Sequence, residues 1–140
     1  YHLKLPVTDA ITEIVNGEDK PLSRDKYYTP GSILQMSVDN NQTATSGLKN
    51  ITDVYFDNSP VFKLNPTAVS SGVIKPLAWF GTDKILRSGW SWGETYLKNG
   101  ITAFEASVGK GKLYAFTPEI TFRAQAQGTF KLLFNQLYSN

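Results

Sequence analysis

The sequence predicts an α/β domain, rich in strands and closed by a C-terminal helix. Short apolar runs recur along the chain between clusters of Gly, Pro, Asn and Asp, the pattern of strands separated by turns. Gly109-Lys110-Gly111 joins two such runs, Ile101–Val108 and Lys112–Phe116, as a hairpin, the second reading as a buried strand. After Thr117-Pro118-Glu119 the period changes. Ala126, Phe130, Leu133, Phe134 and Leu137 fall at helical spacing, with Lys131, Asn135 and Gln136 on the other side. Burial of four large side chains there would be worth roughly 6–12 kcal/mol gross, at about 1.5–3 each. On this reading Phe134→Asp unfolds the domain and Lys131→Ala costs little.

Taken in order, Tyr1–Val7 alternates until Pro6 and enters as an edge strand. Thr8–Val15 has two readings. Thr8 or Asp9 caps a short helix, or Ile11–Val15 and Glu18–Leu22 form a hairpin across Asn16-Gly17. Asp19–Lys26 is a charged surface loop. The turn Tyr27–Gly31 launches Ser32–Val38, whose Leu34, Met36 and Val38 make one apolar strand face. Asp39–Gly47 is a polar loop. Asn41-Gln42-Thr43 and Asn50-Ile51-Thr52 match the N-glycosylation pattern, which is common by chance.

Val54–Leu64 carries two apolar runs around Asp57-Asn58-Ser59-Pro60, a turn or bulge in which Asp57 bonds local backbone amides. Asn65–Gly72 reads as a loop. Val73–Phe80 is a strand broken by Pro76, hence an edge or bulged strand ended by Gly81-Thr82-Asp83. Ile85–Gly100 holds Trp90 and Trp92 and a short helical tail that Gly100 ends in the left-handed conformation.

Composition narrows the function. A chain of 140 residues fits one domain, 1–140, with a normal core. Its net charge of +2 is too small to argue for nucleic acid or an anionic membrane. No apolar run approaches the roughly 20 residues of a membrane-spanning helix. There is no cysteine, which removes disulfides, thiolate nucleophiles and cysteine zinc sites. His2 is the one histidine, too few for a zinc peptidase site and badly situated for a Ser-His-Asp triad. The start at Tyr1 reads as a piece of a longer protein.

The remaining candidates are few. Trp90, Trp92 and Tyr96, with Trp79, would make either an aromatic platform for sugar or peptide or a packed core or domain interface. Arg123 precedes the last helix, where an anion is favoured, and equally suits an ion pair with Glu119. Asp57, Asp83, Glu94, Glu105 and Glu119 lie near aromatic residues. A catalytic pair needs two of them across a cleft, whereas Asp57 and Asp83 are also simple turn residues.

Four segments occur in a telling order: Tyr28–Leu34 (YTPGSIL), Tyr55–Phe62 (YFDNSPVF), Ser88–Gly93 (SGWSWG), and Phe122–Gln125 running on through Gly128–Asn135 (GTFKLLFN). The set resembles the C-terminal region of large secreted bacterial zinc carboxypeptidases of the carboxypeptidase A type. In that family a peptidase domain is followed by a domain similar to class I glutamine amidotransferases. The resemblance covers nearly the whole chain, most firmly residues 27–138.

The resemblance implies the later portion of a doubly wound, amidotransferase- or flavodoxin-like sheet; the alternative is an independent α+β domain. It implies a secreted or periplasmic location. Zinc is expected only in the upstream peptidase domain, and no cofactor in this chain. The amidotransferase family uses a Cys nucleophile and a downstream His, and this chain has no Cys and no His beyond residue 2. The expected role is a non-catalytic accessory domain that packs on the peptidase domain or helps present polypeptide substrate. A carbohydrate-binding module using Trp90, Trp92 and Tyr96 is the second reading, and a small carboxylate-pair hydrolase the third. Peptide or glycan are the ligands to expect, with no nucleic acid and no membrane insertion.

Overall fold

Strand follows strand for most of the chain because its apolar residues alternate. The computed structural model describes residues 4–138. Tyr1, His2 and Leu3, part of the expected entry strand, lie outside the described residues. The strands are β1 (Val7–Asp9), β2 (Thr12–Val15), β3 (Glu18–Pro21), β4 (Ser32–Val38), β5 (Ile51–Phe56) and β6 (Phe62–Leu64). After helix α1 (Pro66–Ser70) come β7 (Ile74–Trp79), β8 (Leu86–Ser88), β9 (Ile101–Val108) and β10 (Gly111–Phe116), then helix α2 (Phe130–Tyr138).

The main sheet runs β1-β6-β9-β7-β4-β5, with β10 also on β9 and β8 also on β4. Every ladder among the described strands is antiparallel. The chain is therefore strand-rich, with a mostly antiparallel sheet and a short C-terminal helix. A doubly wound sheet has parallel strands joined by helical crossovers.

β4 behaves as its alternation demands: Ser32, Leu34, Met36 and Val38 are buried, and Ile33, Gln35 and Ser37 are half-buried on the other face. The buried side packs with Val54, Phe56, Leu77 and Phe80 into the larger core. Ile74, Phe104 and Ala106 form a smaller core with Val7, Phe62 and Leu64 packed against it. The open reading at Thr8–Val15 resolves as the hairpin. Asn16 and Gly17 take φ of 55° and 82°, the positive pair that a tight I′ connection needs.

Several expectations are corrected. Of the two readings at Pro76 the bulge holds, between Pro76 and Ala78, and the edge does not, since β7 is central and bonded to both β9 and β4. β10 is not buried; it pairs only with β9 and its residues are half-buried or exposed. Asn65–Gly72 is not a plain loop. The Asn65 side chain accepts from the Thr67 and Ala68 amides and caps α1, with Pro66 in its first turn. The left-handed residue after Glu94–Leu97 is Asn99, at φ 61°. Gly100 is small for another reason: a Cβ there would lie 2.1 Å from Val61 Cγ1.

The largest correction concerns α2. Its core contact is Leu132, 1% exposed, while Phe134 and Leu137 are 46% and 65% exposed. Asn135 and Gln136, expected outside, turn inward instead. Asn135 Nδ2 donates to the Ala44 and Ser46 carbonyls at 3.2 and 2.9 Å, and Gln136 Nε2 to the Ala44 carbonyl at 2.7 Å. The helix is thus docked by Leu132, by Leu133 half-buried against the same core, and by a set of amide bonds to the loop after β4. Lys131 is exposed as expected, though its ammonium donates to the Gly47 carbonyl at 3.0 Å.

Tyr27 is 8% exposed, and burial pushes its hydroxyl up from the ordinary value near 10 to about 12.

Two outcomes are expected in urea unfolding. Leu132→Ala should cost about 2–5 kcal/mol, while Phe134→Asp should leave the midpoint close to wild type; the reverse order would reinstate the sequence-derived face. Because native Tyr27 holds its proton above the pH where the unfolded chain releases it, stability is fully present below pH 10 and declines up to about 12. Tyr27→Phe should remove much of that alkaline loss in a pH series of melting curves.

Candidate functional site

Trp90, Trp92 and Tyr96 all lie on the surface, 53%, 54% and 47% exposed. The frame beneath them is backbone. Tyr28 and Trp92 exchange both main-chain hydrogen bonds, each at 2.9 Å. Directly paired residues project to one side, so the Tyr28 and Trp92 rings share a face. Trp90 meets Tyr28 edge-on, with ring centroids 6.0 Å apart. Thr29 and Ser91 point the other way, their hydroxyls 2.7 Å apart.

Polar contacts fix the rings. The Trp92 indole N–H donates to the Asp25 carbonyl at 2.6 Å. The buried Ser32 hydroxyl accepts from the Trp90 amide at 3.0 Å and lies 2.6 Å from both the Pro30 and Trp90 carbonyls, one of which takes its single proton. Gly93 permits the close crossing: its φ is +72° and a Cβ would lie 2.1 Å from the Lys26 carbonyl oxygen. The Arg24 guanidinium sits 5.5 Å over the Tyr28 ring, adding a cation to the rim. Lys26 and Glu13 form an ion pair nearby, which holds the ammonium pKa above its ordinary value.

A second feature escaped sequence reasoning. A cleft of about 900 Å³ opens on the outer face of β4 and β5. Ile33, Ile51, Asp53, Tyr55 and Arg87 line one side, and Phe122 and the segment 125–128 the other. Phe122 stacks on Tyr55 at 4.0 Å and 10°. Asp53 and Arg87 form an exposed ion pair of 3.4 Å within it. Only the alternation of β4 and β5 hinted at this wall; the cross-chain pairing with Phe122 has no local signature.

Arg123 does not pair with Glu119: the described residues show no such ion pair within 4.0 Å. Its guanidinium lies 5.1 Å from the Phe122 ring centroid, extending the Tyr55–Phe122 stack. The 3-10 turn Gln127–Thr129 separates it from α2. Arg123 and Ala124 take φ of 44° and 56°, uncommon for residues with a Cβ.

Asp57 bonds a backbone amide, but not a local one. It accepts from Gly31 at 3.2 Å, and its neighbour Asn58 accepts from the Thr29 amide at 2.9 Å. Together they lock the turn before β4 to the turn after β5. Glu94 accepts from the Leu86 amide at 3.0 Å, and Glu105 pairs with Lys112 at 2.8 Å. Glu119 is exposed, its amide donating to the Tyr55 carbonyl at 3.2 Å. None of the five acids singled out from sequence lines the cleft.

Among the described residues no three His, Cys, Asp or Glu side chains gather into a metal-holding group. No described helix is long and apolar enough to cross a membrane.

Ser32→Ala should cost about 1–3 kcal/mol, because it strips a buried partner from the Trp90 amide and from the carbonyl that takes the hydroxyl proton. Urea unfolding reads the loss. Stronger acrylamide quenching of tryptophan should accompany it, and unchanged quenching would show that the hydroxyl does not hold the ring.

No family model, curated protein or solved structure matches the chain.

Proposed function

We propose that the chain is a non-catalytic accessory domain of a secreted zinc carboxypeptidase-like protein, and that Trp90, Trp92 and Tyr96 form its contact with the peptidase domain. The ordered motif resemblance motivates the family. The observation that carries the surface is the exposure of three large aromatic rings on a hydrogen-bonded frame. Rigid aromatic side chains contribute large contact area at low entropic cost, and such residues dominate interfaces. Zinc and its ligands would belong to the upstream peptidase domain, and the location would be secreted or periplasmic.

The finer fold proposal follows the same division. The resemblance favours the later portion of a doubly wound, amidotransferase-like sheet. The antiparallel ladders favour the alternative, an independent α+β domain.

A second reading has a specific observation behind it. Exposed indoles on one face also suit a carbohydrate-binding module, with Tyr28 as a further ring. The carboxylate-pair hydrolase has less support, since Asp53 is the one acid lining the cleft and it is already paired with Arg87.

Calorimetry against a separately expressed upstream peptidase domain tests the proposal. Saturable binding is expected, and Trp90→Ala with Trp92→Ala should weaken it by on the order of 2 kcal/mol, about thirtyfold in Kd. Absence of binding would defeat it. A change in tryptophan fluorescence with an oligosaccharide series would then favour the glycan reading.

A further inference from the structure

The cleft beside β5 has an unused backbone edge. β5 pairs with β4 alone. Its Tyr55 carbonyl accepts from the Glu119 amide, so Tyr55 turns its polar groups away from β4. The strand period then turns those of Asp53 and Ile51 the same way. Consistently, Gln35, opposite Asp53, sends its amide to the Ile85 carbonyl on the other side, at 2.8 Å. The amides and carbonyls of Ile51 and Asp53 have no hydrogen-bond partner within the described residues, and both residues line the cleft.

We propose that this cleft binds an extended acidic peptide segment, which adds to the free edge of β5 as a further strand. Two chemistries select that occupant. The first is the backbone: Ile51 and Asp53 present donors and acceptors at strand spacing, which an extended polypeptide matches and a compact solute does not. The second is charge. Lys49, Arg87 and Lys131 line the cleft against the single carboxylate of Asp53. The Arg87–Asp53 pair is open to solvent, at 57% and 49% side-chain exposure, so Arg87 is available to an incoming carboxylate. Alternate side chains of the added strand would meet the apolar wall made by Ile33, Ile51 and the Tyr55–Phe122 stack. The site is separate from the Trp90 and Trp92 surface, so it stands whether or not the accessory-domain reading does.

The probe is a fluorescein-labelled heptapeptide alternating valine with glutamate, acetylated and amidated at its ends. Fluorescence anisotropy with the 140-residue chain should give saturable binding. N-methylation of alternate peptide amides, replacement of glutamate by lysine, or Arg87→Ala should each weaken binding tenfold or more. Asp53→Pro and Asp53→Ala both remove the carboxylate, but only the proline also removes a free donor, without touching the β4 ladder, and it should bind tenfold or more weaker than the alanine variant. Amide chemical-shift changes should centre on Ile51 and Asp53. No saturable binding, equal affinity for the N-methylated or lysine peptide, or shifts centred on Trp90 and Trp92 would overturn the proposal. The peptide variants leave the protein untouched, so the test survives a variant that fails to fold.

Discussion

The two-residue alternation of Ser32–Val38 is the constraint on which the rest depends. Leu34, Met36 and Val38 enter the larger core from one side. Ile33 lines the cleft from the other. Ser32, at the start, clamps Trp90 through its hydroxyl. A one-residue slip would move all of these at once, because it exchanges the two faces of the strand. The antiparallel register with β5, Ser32 opposite Phe56 through Ser37 opposite Ile51, guards against that slip. So do the Asp57 and Asn58 bonds to Gly31 and Thr29.

Local chemistry made part of this legible in advance. The strand Ser32–Val38 and the hairpin Ile101–Phe116 could be read because their patterns act over a few residues. Asn16-Gly17 offered the correct turn alongside a capped helix, and only the pairing of Glu13 with Lys20 and Val15 with Glu18 decides between them. The missed α1 did have a local signature, since Asn65-Pro66 joins a favoured cap to a favoured first-turn residue. It was hidden by its length of five residues, too short to show a helical period.

The helix α2 was misread for a different reason. Its apolar spacing is real, but periodicity says which side chains share a face and not which face is buried. Here Leu132 alone is fully buried, and the side that docks is completed by Asn135 and Gln136 reaching the carbonyls of Ala44 and Ser46. Those carbonyls lie in the 3-10 turn Thr43–Thr45 and just after it. Such a turn leaves acceptors without partners inside it, so amide side chains at the right height gain more there than in water. The decisive partners are some ninety positions away in sequence. No window on residues 126–138 contains them. A long separation, from position 55 to position 122, likewise hid the Tyr55–Phe122 stack, and with it the cleft.

The two candidate surfaces differ in what they expose. Three of the five acids that sequence reading offered for catalysis are engaged as structural acceptors: Asp57 by the Gly31 amide, Glu94 by the Leu86 amide, Glu105 by Lys112. What remains open to a ligand is of another kind: aromatic faces at Trp90 and Trp92, and unpaired main-chain groups at Ile51 and Asp53. Exposed indoles favour contact area, while a free strand edge favours an extended backbone. A strand edge flanked by Arg87 and Lys131 would favour a polypeptide over a glycan, a distinction that exposed tryptophans do not make.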